Sequence, residues 1–126
     1  MKYVETNYAN PHKTITAVAD HYVNISVQIS DQGIAPNAHG EKIVPAGTIL
    51  GGGFIASETA LAVKATTSGE PAASNAEGVL FHNVDLTHGP ATGAVLIHGF
   101  IDVRKIPVAP TAEEVAALNH IKFVNA

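Results

Sequence analysis

Two apolar runs joined by a short breaker-rich loop dominate the pattern of the chain. Gly78 to Thr87 and Ala94 to Arg104 are rich in β-branched and aromatic residues, and His88-Gly89-Pro90-Ala91-Thr92-Gly93 between them holds the Gly and Pro that interrupt strands. The block reads as an antiparallel hairpin. Folding it about the middle of the loop sets Thr87 opposite Ala94 and Asn83 opposite Ile97 or His98. Strict alternation then puts Val95, Ile97, Ile101 and Val103, with Gly99 between them, on one apolar face. Leu96, His98, Phe100, Asp102 and Arg104 form the other, which starts apolar and ends charged, as in a strand leaving the core for solvent or a partner near Asp102 and Arg104.

The rest of the pattern is mostly strand-like. From Tyr22 to Ile29 the chain alternates, with Val23, Ile25, Val27 and Ile29 inward and Asn24, Ser26 and Gln28 outward. Ile43-Val44 and Thr48-Ile49-Leu50 read as short strands joined by a turn at Pro45-Ala46-Gly47, because proline cannot donate to a ladder. Leu61 to Thr66 alternates as a strand, although propensity over Ser57 to Ala65 would also tolerate a short helix. Residues 67 to 77 read as a surface loop. Ile106 to Pro110 is an extended link, and Thr111 with Glu114 three residues on is a capping box that opens a short helix. Glu113 and Glu114 complement its dipole, Val115 and Leu118 are spaced to share a face, and the helix ends near Asn119. His120 to Val124 closes the chain as a strand. The fold class expected is therefore mainly β, of antiparallel strands, with one short C-terminal α-helix.

Residues 1 to 20 fit neither period. They are polar and scatter Tyr3, Val4, Tyr8 and Ile15 too thinly for a buried face, which suits an extended arm that orders when a partner offers a sheet edge. A frayed terminus is the plainer alternative. Residues 21 to 126 are then one β-rich domain, within the size range of a single core.

Composition narrows the function classes. Charged residues make up 14% of the chain and hydrophobic ones 46%, against about 25% charged in an average soluble domain. So neutral a surface is economically explained if other subunits cover part of it. Seven Lys and Arg against eleven Asp and Glu give a net charge of −4 without a basic cluster, which leaves nucleic-acid binding unsupported. With no cysteine there is no disulfide or thiolate metal site. The N-terminal residues lack the apolar centre of a signal peptide, and no run reaches membrane-spanning length, so a cytoplasmic site of synthesis and no membrane partner are expected.

Candidate chemistry is thin. His82 and His98 fall near each other across the expected hairpin, with Asp85 and His88 beyond, and could be imagined around Zn²⁺. His82 and Asp85 differ by three strand positions and face opposite ways, and no His-x-His or His-Glu-x-x-His spacing occurs, so hydrogen-bonded or exposed histidines are the favoured reading. Gly51-Gly52-Gly53 lacks the ending of a phosphate-binding loop and is read as a place of backbone freedom or close packing. Ser26, Ser30, Ser57, Ser68 and Ser74 have no paired base evident, and Asp85 and Asp102 are explained as strand-edge or turn carboxylates. Neither a catalytic residue nor a cofactor is expected.

Four stretches carry a resemblance: Lys42 to Gly52 with its Pro-Ala-Gly-Thr-Ile-Leu-Gly-Gly element, Gly78 to Thr87 with Gly-Val-Leu-x-His-x-Val-Asp, Gly93 to Asp102, and the Ala-Leu-x-x-Ile-x-Phe ending at Ala117 to Phe123. In order and in combination they resemble tailed-phage head decoration proteins, the lambda-type capsid-stabilising proteins. That resemblance implies a small β-tulip domain that forms a homotrimer and sits at three-fold sites outside the expanded head. The implied partner is the major capsid protein, and the implied location is the virion surface after assembly in the host cytoplasm. It also implies that an N-terminal arm, here carrying Lys2, Tyr3, Val4, Tyr8 and Ile15, adds strand pairing to the shell, so that deleting residues 2 to 16 should leave a folded trimer that no longer binds. Two readings from other classes stand beside it: a virion-surface glycan- or receptor-binding module using the polar face of residues 22 to 29 and the 67 to 77 loop, and a metal-assisted enzyme using His82 and His98.

Overall fold

The computed structural model describes residues 15–18, 21–57 and 59–124. In chain order the elements are β1 (Tyr22–Ile29), β2 (Ile43–Val44), β3 (Ile49–Gly51), β4 (Val63–Lys64), β5 (Thr67–Ser68), β6 (Ala73–Ser74), β7 (Ala76–Leu80), β8 (Val84–Asp85), β9 (Ala91–Asp102), a 3-10 turn (Val103–Lys105), α1 (Ala112–Ala117) and β10 (Ile121–Val124). The chain is mainly antiparallel β with one short helix near its C-terminus, as its pattern predicts.

The twelve-residue β9 is the shared strand. Along one edge it pairs antiparallel with β1, from Ile29 opposite Ala91 to Tyr22 opposite Gly99. Ile15–Ala17 continue that edge, with Thr16 bridging Ile101. Along its other edge β9 pairs antiparallel with β7 and then parallel with β10. The sheet runs on from β7 to β3 and β4. It then closes on itself, because Ala62, next to β4, exchanges hydrogen bonds of 2.9 Å with Gln28 and Ser30 at the end of β1.

This ring encloses one apolar cluster and carries a second on its outside. Val27, Ile29, Leu50, Phe54, Ala62, Leu80 and Val95 meet inside, with Val44, Val84 and Leu86 from the β2–β8 ribbon added at one end. Outside, Ile15, Ile49, Val79, Leu96, Ile101, Ile106, Leu118 and Ile121 pack together. Neighbours in sequence such as Ile49 and Leu50, Val79 and Leu80, or Val95 and Leu96 are divided between the two clusters. Burial on both faces is why these strands read as continuous apolar runs.

The hairpin predicted over 78–104 exists, but in another register and with a shorter first strand. Val95 faces Leu80, and Leu96 faces Val79, where the symmetric loop would place Leu86 opposite Val95. The chain leaves the sheet after Leu80. Asn83 accepts a 2.7 Å hydrogen bond from the Ala46 N–H, and β8 pairs with β2 instead of β9. Partners distant in sequence thus outbid the local turn.

The expected alternation in β9 also fails, at a bulge. Val23 pairs with His98 but Asn24 with Leu96, so Ile97 is an extra residue and the side-chain faces exchange beyond it. Ile101 therefore joins the cluster of Leu96 and not that of Val95. Asp102, expected at the solvent end, is 5% exposed, whereas Val23, expected inward, is 47% exposed. Gly99 follows the bulge at φ +153°, and a Cβ there would lie 3.2 Å from both the His21 carbonyl oxygen and Tyr22 Cβ.

Elsewhere the outcome is mixed. The strand reading of 61–66 holds at Val63–Lys64, while the 67–77 loop contains the β5–β6 pair and the start of β7. The capping box forms as predicted, with Thr111 Oγ1 accepting from the Glu114 N–H and Glu114 Oε1 accepting from the Thr111 N–H. Leu118 is buried but Val115 is 43% exposed, because a six-residue helix seats only its end on the sheet.

Gly78 in β7 lies against β9, where an added Cβ would stand 2.5 Å from Val95 Cγ1 and 2.9 Å from the Leu96 carbonyl oxygen. Gly78→Ala is expected to lower stability by about 1–3 kcal/mol through overpacking, measured by urea unfolding.

Candidate functional site

Beyond the bulge, β9 turns His98 and Phe100 onto a face where two neighbouring segments also present rings. His21 precedes β1 on one side and His120 precedes β10 on the other. His21 Nε2 and His98 Nε2 are 3.3 Å apart. Their ring centres lie 5.3 Å apart in an edge arrangement, His21 packs on Phe100 at 5.7 Å, and His98 and His120 are 6.3 Å apart. Lys122, exposed, is in register with Phe100. A second group of rings is Tyr22, Phe81 and His82, with Tyr22 tilted against Phe81 at 4.9 Å and Phe81 edge-on to His82 at 4.7 Å. Val18, Tyr22 and Val23 are 40–47% exposed. Amphipathic rings beside exposed valines suit contact with another surface, since they bury large areas with little side-chain entropy to lose.

The residues singled out in the sequence are distributed differently. Lys2, Tyr3, Val4 and Tyr8 lie outside the described residues. Ile15 is fully buried in the outer cluster, and its carbonyl accepts a 3.0 Å hydrogen bond from the Asp102 N–H. This corrects its assignment to a partner-binding arm: Ile15 belongs to the domain's own core, so residues 15–17 are part of the sheet. His98 meets His21 and His120, neither of which the sequence reading paired with it. Finding them requires knowing that β1 and β10 both flank β9 at Gly99, and the parallel β10 pairing has no local signal.

The other candidates are occupied in structural roles. The Gly53 and Phe54 N–H groups of the glycine-rich loop both donate to Glu77 Oε1, so these donors serve the protein's own carboxylate and not a phosphate. Ser30 and Ser74 accept backbone hydrogen bonds within turns. Asp102 caps the 3-10 turn and accepts from the Arg104 backbone and guanidinium, and that hydrogen bonding, followed by the carboxylate's charge, raises the Arg104 pKa. Asp85 accepts from both the hydroxyl and the N–H of Thr87, while Thr87 Oγ1 accepts from the Lys42 N–H at 3.1 Å and ties the β2–β8 ribbon together. Among the described residues, no group of three or more His, Cys, Asp or Glu is placed to hold a metal ion, and no helix is long and apolar enough to cross a membrane. Comparison with protein-family models, curated proteins and solved structures finds no match to the chain.

The Thr87 hydroxyl and then its N–H hold Asp85 below the usual carboxylate range against the opposing effect of desolvation, with the nearby His88 charge adding least. A carboxylate with a depressed folded-state pKa stabilises the fold above its unfolded-state pKa, and that contribution disappears as pH falls through the folded value. Thr87→Val is expected to raise the Asp85 pKa toward that of a free aspartate, read by carboxyl-carbon NMR titration, and to make stability less dependent on pH below neutrality.

Proposed function

We propose that this chain is a tailed-phage head decoration protein, which binds as a homotrimer at three-fold sites on the outside of the expanded shell. Its partner is the major capsid protein, its place is the virion surface, and it acts by adhesion, making and breaking no covalent bond. The observation that carries the reading is an exterior poor in charge and dotted with large apolar side chains. Tyr22, Val23, Ile43, Ile55, Val108 and Val115 are between 39% and 74% exposed in a chain with only 14% charged residues. Such a surface is what subunit and shell contacts would cover.

The four segments that resemble decoration proteins also contact one another directly. They contribute β2 and β8, which pair, β3 and β7, which pair, and β9 with β10. The resemblance therefore falls on a connected structural frame, which supports reading it at the level of the fold. Mechanically the action is linkage. A ligand that binds the expanded lattice and not its precursor stabilises the expanded form by its differential affinity, here against the outward pressure of packaged DNA.

The purified protein is expected to have the mass of a trimer in solution and to pellet with expanded heads but not with unexpanded ones. A monomer that pellets with neither sinks the proposal. Because Ile15 is in the core, the arm is tested by deleting residues 2 to 13 and not 2 to 16. The shorter deletion should keep the thermal transition and lose head binding, while the longer one should also destabilise the fold.

A further inference from the structure

We propose that His21 and His98 form a two-imidazole site for a borderline divalent transition-metal ion such as Zn²⁺, held open for water or a third ligand. The geometry is that of a chelate. Nitrogens bound at 2.0–2.1 Å to a tetrahedral Zn²⁺ stand about 3.3–3.4 Å apart, and the centres of such rings about 5.2 Å apart. Here the two Nε2 atoms are 3.3 Å apart and the ring centres 5.3 Å.

The rings are placed by the fold. The extra residue at Ile97 re-aims His98 relative to the strand before it, and β1 begins opposite Gly99, which sets His21 alongside. Phe100 packs on the His21 ring and limits its rotation. His120 stands next to His98, but at 6.3 Å between ring centres it is about 1 Å too far for a shared ion, by the same tetrahedral geometry. Two protein ligands therefore remain, and both are exposed to solvent, which can supply the other ligands. Imidazole suits Zn²⁺, Ni²⁺ and Cu²⁺ in preference to Mg²⁺ or Ca²⁺, which select oxygen. Lys122, on the strand register beside Phe100, is the nearby cation that would oppose binding. The site does not depend on any role at a phage head.

The test is calorimetric titration of ZnCl₂ into the full-length protein, with imidazole ¹⁵N NMR to identify the liganding nitrogens. One ion per chain is expected, with the Nε2 signals of His21 and His98 shifting together. His21→Ala and His98→Gln should each weaken binding at least tenfold while leaving the circular dichroism spectrum unchanged. His39→Ala, in a turn remote in sequence from either ring, should bind as the unsubstituted protein does. Absence of binding, or binding by the His21 and His98 variants as tight as by the unsubstituted chain, overturns the proposal.

Discussion

The fold depends on β9 being used four times over. Both edges carry partners and both faces carry a core, so Val95 and Leu96, adjacent in sequence, are each fully buried in different clusters. A strand constrained in this way cannot slip. A shift of one residue would move the enclosed set outward and the outer set inward at once, with several buried apolar side chains at stake. β1, β7 and β10 each find their register against this template, and the closing contact between Ala62 and the end of β1 follows from them.

Because the ring is small, its ends must be stopped by other means. The β2–β8 ribbon supplies Val44, Val84 and Leu86 to the enclosed cluster, and its geometry rests on side chains that bond across it. Asn83 receives the Ala46 N–H, and Thr87 both receives the Lys42 N–H and donates to Asp85. These polar contacts satisfy the Ala46 and Lys42 N–H groups on either side of β2, which have no ladder partner in the main sheet. The outer cluster is closed more simply, by Leu118 and Ile106 from the C-terminal segment and by Ile15 from the N-terminal one. The two ends of the described chain therefore share one core.

The parts of this arrangement that were legible in the sequence are those set by local physics. The alternation of Ile25, Val27 and Ile29, the Thr111–Glu114 capping box and the proline-bounded turn before β3 each rest on residues within a few positions of one another. The register of the hairpin, the bulge at Ile97 and the burial of Ile15 and Asp102 were not legible, because each is decided by a partner far along the chain. Nothing near Asn83 indicates that its amide will meet Ala46. The histidine pair is the same case: each ring is ordinary in its own segment, and only the joint placement of β1 and β10 around Gly99 brings His21, His98 and His120 onto one face.

The bulge also decides which side chains meet at the candidate surface. Regular alternation would have put His98 into line with Leu96; the inserted residue in β9 reverses it and presents His98 beside His21 and opposite Val23, which lies exposed at the start of β1, outside the enclosed cluster. Along the same edge of β9, Thr16 Oγ1 and Asn24 Oδ1 are buried without a hydrogen-bond partner among the described residues. Unsatisfied acceptors and exposed apolar side chains are both unfavourable in an isolated domain, the first by lost solvation and the second by contact with water. A surface that covered this edge would relieve the second, by burying Val23 and its exposed neighbours. The interior needs a regular strand, and the place where regularity fails is the place best suited to face outward.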